Sequence, residues 1–510
     1  MNTASDSVTP AGSRPERETA VMSVRGAAVW AMAGQYVSFA IQFASSVVIS
    51  RLFLDPAEVG LFSIGMAAAL LVAILQDFGL SRYISGLPRL DGNEIARCSS
   101  VALIFSFGIA AVIALLAWPL AIAYRQPGLV PLLLIIASSY LFLPLAVVPM
   151  ALMARAMAFR GHFAVNVGAA AIQAAVAVGL AAAGFSALSL AWATLASGLA
   201  RGIIAQLLRP SLPWPLRLDG LRPVLNFGSR SSVLYLTGAL GTRTPDLIVG
   251  KLLTLNAVGL YSRAVSLSDQ FRMLISGAIG SVFYPAFARI RDRGEPLGPA
   301  YMRVCAGYSA VVWPGMLGLA LAAEPLVRLL YGEAWLQTAP LLTMIALTEV
   351  MLVSLPLVSD LPILLGRLNR LLAYNIVDTV LSITLLAIGC FWGVEGAAAS
   401  RLAYGVLWLC LYFGFMRELV AFDLKALIGI YARSTIASLA AVAPLALTYL
   451  FWQSPAMIGL MPLALAVMAG GLCWLAALGL LRHPALAELV ALFSTIRMPV
   501  AVRARLFPQG

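Results

Sequence analysis

Charge is scarce in this chain. Charged residues make up 11% of it and hydrophobic residues 61%, against about 25% charged in a typical soluble protein. That argues against a water-soluble fold, and a mean hydropathy of +0.93 makes lipid the solvent. Lysine is nearly missing: Lys251 and Lys425 are the only two among 34 basic residues. With abundant Ala, Leu and Gly, this points to a GC-rich bacterial genome. The two histidines, His162 and His483, lie far apart, which argues against a histidine metal site. Five cysteines (Cys98, Cys305, Cys390, Cys410, Cys473) are scattered through apolar stretches without a CxxC pair. They read as small buried hydrophobes, not as a disulfide framework or a metal site. No P-loop, paired carboxylate set or nucleophile triad is present, which disfavours ATP-driven transport by this chain alone. No metal or other cofactor is expected. The net charge of +12 would suggest nucleic acid in a soluble protein; here it reflects basic loops on one side of a membrane.

What the chain has in abundance is long apolar runs. About 20 mostly apolar residues cross roughly 30 Å of hydrocarbon, and runs of that length satisfy their backbone as helices, not barrel strands. Fourteen spans are predicted, near 26–50, 57–80, 98–124, 128–154, 162–184, 187–208, 224–250, 257–288, 300–323, 338–366, 371–391, 396–416, 430–450 and 457–481. The eighth and tenth are long and polar enough to be tilted or broken. With a cytoplasmic N-terminus, the loops hold 24 basic residues inside and only Arg51, Arg125, Lys251 and Arg328 outside. This is a strong positive-inside bias. Residues 1–25 read as a disordered cytoplasmic tail, with Met22 an alternative start. The segment 482–510 reads as a basic amphipathic tail on the cytoplasmic surface.

The chain also repeats itself. Ser50-Arg51-Leu52 leads to Val59-Gly60-Leu61-Phe62-Ser63, and Gly250-Lys251-Leu252 leads to Val258-Gly259-Leu260-Tyr261-Ser262. Leu143-Pro144-Leu145, ahead of Pro149 and Arg155, is echoed by Leu355-Pro356-Leu357, ahead of Pro362 and Arg367. Duplicated helix bundles are how many transporters build a site between two halves. The expected architecture is an all-α membrane protein with two pseudo-symmetric six-helix lobes around a central cavity. The lobes occupy 26–208 and 224–416, joined by a cytoplasmic linker at 209–223, and an extra helix pair covers 417–481.

Three motifs, in order, carry a family resemblance. They are Asp246–Leu253 with Val258–Ala264, then Phe283-Tyr284-Pro285-Ala286-Phe287-Ala288-Arg289-Ile290, then Pro325–Trp335. Together with the span map and the internal repeat, they resemble the Wzx-type oligosaccharide flippases of the superfamily that also holds MATE drug exporters and lipid II flippases. The resemblance runs from about Arg25 to Leu481. It implies a V-shaped pair of bundles around a cavity open alternately to either side. The implied cargo is an undecaprenyl-pyrophosphate-linked oligosaccharide, moved across the bacterial inner membrane for surface, exopolysaccharide or lipopolysaccharide synthesis. Membrane lipids, a polysaccharide polymerase and glycosyltransferases are the implied partners. Lipid II flippases carry charges in the first span; here Gly26–Ser50 has none, which disfavours lipid II itself. The alternatives are a MATE-like cation-coupled antiporter and a membrane polymerase or ligase. The latter is disfavoured because every outside loop is short.

Charges inside spans are the candidate site residues, because an Arg at a helix centre costs about 2.5–3.5 kcal/mol and normally faces a wet cavity or a partner. Arg201, Arg230, Arg243, Arg263 and Arg401 lie within roughly 7–11 Å of a span end, close enough to snorkel. Arg272 lies about 22 Å into its span. Arg230, Arg243, Arg263 and Arg272 are the expected substrate-binding set, since a guanidinium binds phosphate oxygens in pairs. The first lobe is apolar at the corresponding positions. Arg263 and Arg272 are nine residues apart, on nearly opposite faces of an ideal helix. They share a cavity only if the span bends or one serves another role. Asp246, three residues after Arg243, and Asp269, three before Arg272, can pair with them locally. Asp246, Asp269, Asp360 and Asp378 are candidates for ion coupling, with Asp77 and Glu349 as further intramembrane acids. Asp360 and Asp378 can alternatively pair with basic residues at their span ends. Gln35 and Gln42 are among the polar groups placed to meet sugar or to bond neighbouring helices.

Overall fold

The computed structural model describes residues 24–74, 83–84, 91–211, 217, 219 and 240–486. Among these residues every regular element is a helix. In chain order they are α1 (Val24–Leu52), α2 (Pro56–Ala73), α3 (Gly92–Tyr124), α4 (Leu129–Tyr140), α5 (Pro144–Arg155), α6 (Phe159–Ala182) and α7 (Leu188–Leu208). They continue with α8 (residues 240–252), α9 (Leu255–Asp292), α10 (Gly298–Leu321), α11 (Ala323–Tyr331), α12 (Thr338–Leu352) and α13 (Asp360–Leu364). Last come α14 (Leu368–Gly389), α15 (Gly393–Val420), α16 (Leu424–Phe451) and α17 (Leu460–Leu480). The helices follow the order of the predicted spans. Among the described residues, nine are long and apolar enough to cross a membrane, or ten with the bent pair α4–α5 as one span. One of the nine, the tract Leu368–Val420, itself holds both α14 and α15. The tails at 1–23 and 487–510, most of the 209–223 linker and the first part of the span at 224–250 lie outside the described residues.

Local chemistry sets the helix ends. Asp55 opens α2 with a reciprocal cap: its side chain accepts from the Glu58 N–H at 2.8 Å, and the Glu58 carboxylate accepts from the Asp55 N–H at 3.0 Å. Thr254 caps α9, accepting from the Ala257 N–H at 3.2 Å. Such caps satisfy amides that have no partner in the first turn. Proline sets the breaks. The predicted fourth span is two helices, α4 and α5, bent by 43° ahead of Pro144. The tenth is broken between α12 and α13, around Pro356. Both breaks fall on the Leu-Pro-Leu echo, where proline lacks an N–H and restricts the residue before it. The eighth span, expected to be tilted or broken, is not broken: α9 runs continuously for 38 residues. Its charges sit on side chains and leave the backbone ladder intact.

In the first half, α1 packs on α6, α6 on α7, and α4 on α3 and α7. In the second, α14 packs on α15, α15 on α12, and α10 on α9 and α12. The extra pair, α16 and α17, pack on each other, and α16 docks on α10. The largest apolar cluster crosses between the halves, joining Ile49, Val59, Ile64 and Leu132 to Val258, Tyr261, Trp335 and Leu341. A second cluster, around Tyr301, Leu361, Tyr412 and Phe415, joins the second half to the start of α16 through Leu427. Large apolar side chains on α16 and α17, among them Leu450, Met461 and Leu472, are exposed, as expected where hydrocarbon is the surrounding medium.

Candidate functional site

The two copies of the repeat meet face to face. Each begins with a capped helix start, so Gly60 and Gly259 fall one turn into α2 and α9. A Cβ on Gly60 would run into the Leu255 carbonyl, and one on Gly259 into the Pro56 carbonyl. Only glycine lets the two backbones approach this closely. One turn further in, the hydroxyls of Ser63 and Ser262 lie 2.9 Å apart.

Around this crossing, each half bonds the helix ends of the other. The Trp335 indole N–H donates to the Ser50 carbonyl at 2.9 Å, and the Tyr124 hydroxyl donates to the Leu247 carbonyl at 2.9 Å. Lys251 Nζ donates to the Ala123 carbonyl at 2.6 Å, and Arg51 donates to the Leu329 carbonyl. These two cations occupy matching positions in the repeat, and each caps a helix end in the opposite half. Arg328 likewise donates to the Ala456 carbonyl. Lys251 and Arg51 thus cap carbonyls at helix ends, whereas Arg328 bonds a turn carbonyl between α16 and α17 and pairs with Glu324 and Glu333, each at 3.4 Å.

Arg263 belongs to this seam. Its guanidinium lies 5.3 Å from the Tyr331 ring centroid and 5.4 Å from that of Trp335, and it donates to Ser46 Oγ in the opposite half. It is held between aromatic faces and joins the two halves. The structure does not bring Arg263 and Arg272 together, because α9 is continuous and nine residues of rise separate them by about 13 Å. Arg263 serves the seam instead.

Arg272 lies near the middle of α9 among acids. It pairs with Asp269 at 3.0 Å and with Glu349 of α12 at 3.0 Å. The side chains of Arg272 and Asp269 are 39% and 52% exposed, whereas that of Glu349 is only 12% exposed. The expected cationic patch is therefore compensated at this point, and Glu349 does much of the compensating. Arg401 of α15 comes within electrostatic range of Glu349 and Asp269. It stands over the Tyr404 ring at 4.8 Å and donates to Ser382 Oγ at 3.2 Å.

The other predicted site residues are dispersed. Arg230 lies outside the described residues. Arg243 is exposed on α8 and interacts with Asp246 through space only, with no ion pair between them among the described residues. Asp360 is exposed at the start of α13. Asp378 does not pair with a basic residue at its span end: it accepts from the hydroxyls of Tyr404 at 2.9 Å and Tyr412 at 3.5 Å, while Tyr412 also donates to Asn375 Oδ1 at 2.9 Å. Tyrosines from α15 reach it because α14 and α15 form a hairpin, a pairing no local sequence pattern announces. Among the described residues, no group of three His, Cys, Asp or Glu side chains is arranged to hold a metal. Sequence reasoning placed Glu349 among the acids that could carry a coupling ion and Arg401 among the bases able to snorkel, but paired neither with a partner. Their opposite charge was the available signal.

Helical spans, a duplicated core and charges in the middle of the helices define an all-α, multi-pass membrane protein. The sequence model of the polysaccharide biosynthesis protein family matches residues 48–340, more than half of the chain, and the chain belongs to that family. It is 21% identical over 371 residues to the lipopolysaccharide biosynthesis protein WzxC of Escherichia coli (strain K12), covering 71% of this chain and 74% of the relative. It is 25% identical over 399 residues to the succinoglycan biosynthesis transport protein ExoT of Rhizobium meliloti (strain 1021), covering 75% and 76%. In fold it is similar to the lipid II flippase MurJ in its inward closed conformation. That match has a TM-score of 0.71 at 14% identity and covers 88% of this chain and 98% of that one.

Proposed function

We propose that the chain is a flippase that carries an undecaprenyl-pyrophosphate-linked oligosaccharide from the cytoplasmic to the periplasmic leaflet of the bacterial inner membrane by alternating access. The observation that carries this reading is the pairing of the two repeat motifs. They form a seam at the end that the charge distribution assigns to the periplasm, above half-exposed charges at mid-depth. A half-exposed Asp269–Arg272 pair in the middle of a 38-residue helix suits a water-filled space between the halves. Parting the seam while the opposite end closes exposes that space to the other side, the rocking motion expected of repeat-built transporters.

The cargo's chemistry fits what lines this region. The pyrophosphate competes with Asp269 and Glu349 for Arg272, whose fork of donors suits phosphate oxygens. Gln35 and Gln42, seven residues apart on one face of α1 and both exposed, are placed to hydrogen-bond sugar hydroxyls. Arg243 and Arg230 stay as further headgroup candidates, and Asp246, Asp269, Asp360 and Asp378 stay as the coupling candidates. The protein then acts between glycosyltransferases that build the unit on the cytoplasmic face and a polymerase that consumes it on the other. Both termini are cytoplasmic in this arrangement.

Removal of the chain tests the reading. The expected result is a lipid-linked glycan that accumulates on the cytoplasmic face of inverted vesicles, protected from periplasmic enzymes. If no glycan accumulates and efflux of cationic dyes falls instead, the protein is a drug antiporter.

A further inference from the structure

We infer that Arg401 is an anion-receiving residue of the transport path, which takes a phosphate oxygen of the polyprenyl-pyrophosphate headgroup. This rests on the flippase reading above and adds a contact on α15 to it. Arg401 has no ion pair among the described residues, only through-space attraction to Glu349, Asp269 and Asp378. Arg401 sits eight residues into α15, about 12 Å from the helix start, where an arginine is expensive without a partner or water. The acids whose charge it feels make their close contacts elsewhere. Asp378 is held by the hydroxyls of Tyr404 and Tyr412, and Glu349 by Arg272.

What Arg401 has instead is a mounting. The face of its guanidinium lies over the Tyr404 ring at 4.8 Å, and one terminal nitrogen donates to Ser382 Oγ at 3.2 Å. Its Nε is buried and makes no hydrogen bond among the described residues. Stacking and a single neutral hydrogen bond fix the plane of the fork and leave donors unspent, the condition for binding an oxyanion edge-on. Arg272 pairs with Glu349 from α9, and Arg401 comes within electrostatic range of it from α15. A phosphate that draws Arg272 away from Glu349 therefore finds a second guanidinium beside it.

Binding of farnesyl pyrophosphate to the purified full-length protein in detergent tests this, with inorganic pyrophosphate as competitor. The expected result is binding by the wild type, competition by inorganic pyrophosphate, and affinity weakened about tenfold or more in Arg401→Gln. Arg125→Gln, on an exposed turn, leaves the affinity unchanged. If Arg401→Gln does not fold, Arg401→Lys keeps the charge without the fork; weakened binding at a native melting temperature then supports the inference. Wild-type affinity in a folded Arg401 variant overturns the inference and leaves the flippase reading standing. Farnesyl pyrophosphate that binds without competition from inorganic pyrophosphate also overturns it, because the contact is then with the lipid tail. A wild type that binds no farnesyl pyrophosphate overturns both this contact and the pyrophosphate-linked cargo.

Discussion

Ser63 and Ser262 are 199 positions apart in the chain, and their hydroxyls are 2.9 Å apart in space. They occupy the same place in two copies of one motif, so the internal repeat is also a contact. The seam they mark is held by backbone packing at two glycines and by hydrogen bonds, each worth about 0.5–1.5 kcal/mol net. That is a stabilisation of the size a bound cargo can overcome, since a ligand shifts an equilibrium by its differential affinity for the two states.

The proximity of the two serines can be used directly. In a Ser63→Cys/Ser262→Cys double variant, oxidation is expected to cross-link α2 to α9 and stop glycan export, and reduction is expected to restore it. Export that continues at full rate in the cross-linked protein rules out parting of this seam as a step of the cycle. Mass spectrometry of the cross-linked peptide and export measured in the same cells are the readouts.

A side chain at the crossing acts in the opposite direction. Gly259→Val cannot keep its place against the Pro56 carbonyl, and Gly60→Val meets the Leu255 carbonyl in the same way. Either variant is expected to hold the seam apart and to raise the reactivity of a cysteine at Ser63 toward impermeant thiol reagents. The valine should cost about 1–3 kcal/mol of overpacking. An unchanged labelling rate would show that the helices part without relying on this contact.

Arg272 and Glu349 form the pair whose loss is least symmetric. Arg272→Ala leaves Glu349 buried beside only the more distant Arg401, whereas the Arg272→Ala/Glu349→Ala double variant removes both charges. The double variant is expected to melt higher than Arg272→Ala alone, with a coupling of about 1–3 kcal/mol between the sites. Both should lose export, because Arg272 is gone in each. Strictly additive melting shifts would mean that the 3.0 Å pair contributes nothing.

The extra helix pair is latched by a histidine, and this makes it sensitive to pH. His483 Nδ1 accepts from the Ala485 N–H at 3.1 Å, so Nε2 carries the proton and faces Ser434 Oγ at 3.0 Å. Ser434 in turn meets Ser309 of α10 at 2.8 Å. Burial pushes the imidazole below its usual 6.5, because the charged form loses its hydration. The folded protein therefore holds His483 neutral while the unfolded chain protonates. The contribution to stability is full above about 6.5 and is lost as pH falls below it toward the lower folded value. The melting temperature is expected to fall through this window in the wild type and to fall less in His483→Gln; equal slopes would remove His483 as the cause.

Much of this molecule was legible before any coordinates. The apolar runs predicted the helices, because lipid permits little else. The Leu-Pro-Leu echo marks where two spans break, since proline's missing N–H is a local property, but a break was expected in the tenth span and not in the fourth. The glycines of the repeat and the scarcity of basic residues on one side were equally visible. Roles that depend on a distant partner were not. Arg263 and Arg272 look alike in sequence, yet one is caged between Tyr331 and Trp335 and the other is neutralised from α12.

By itself, the sequence determined the solvent, the helical class, the duplication and the inventory of buried charge. These follow from hydropathy, backbone hydrogen bonding and pattern, which act over a few neighbouring residues. Tertiary structure alone decided which charges are spent and which are left over. Whether a guanidinium meets a carboxylate, an aromatic face or nothing depends on helix crossings between residues tens to hundreds of positions apart. In this chain it spent Arg263 on the seam and Arg272 on Glu349, and left Arg401 without an ion pair among the described residues.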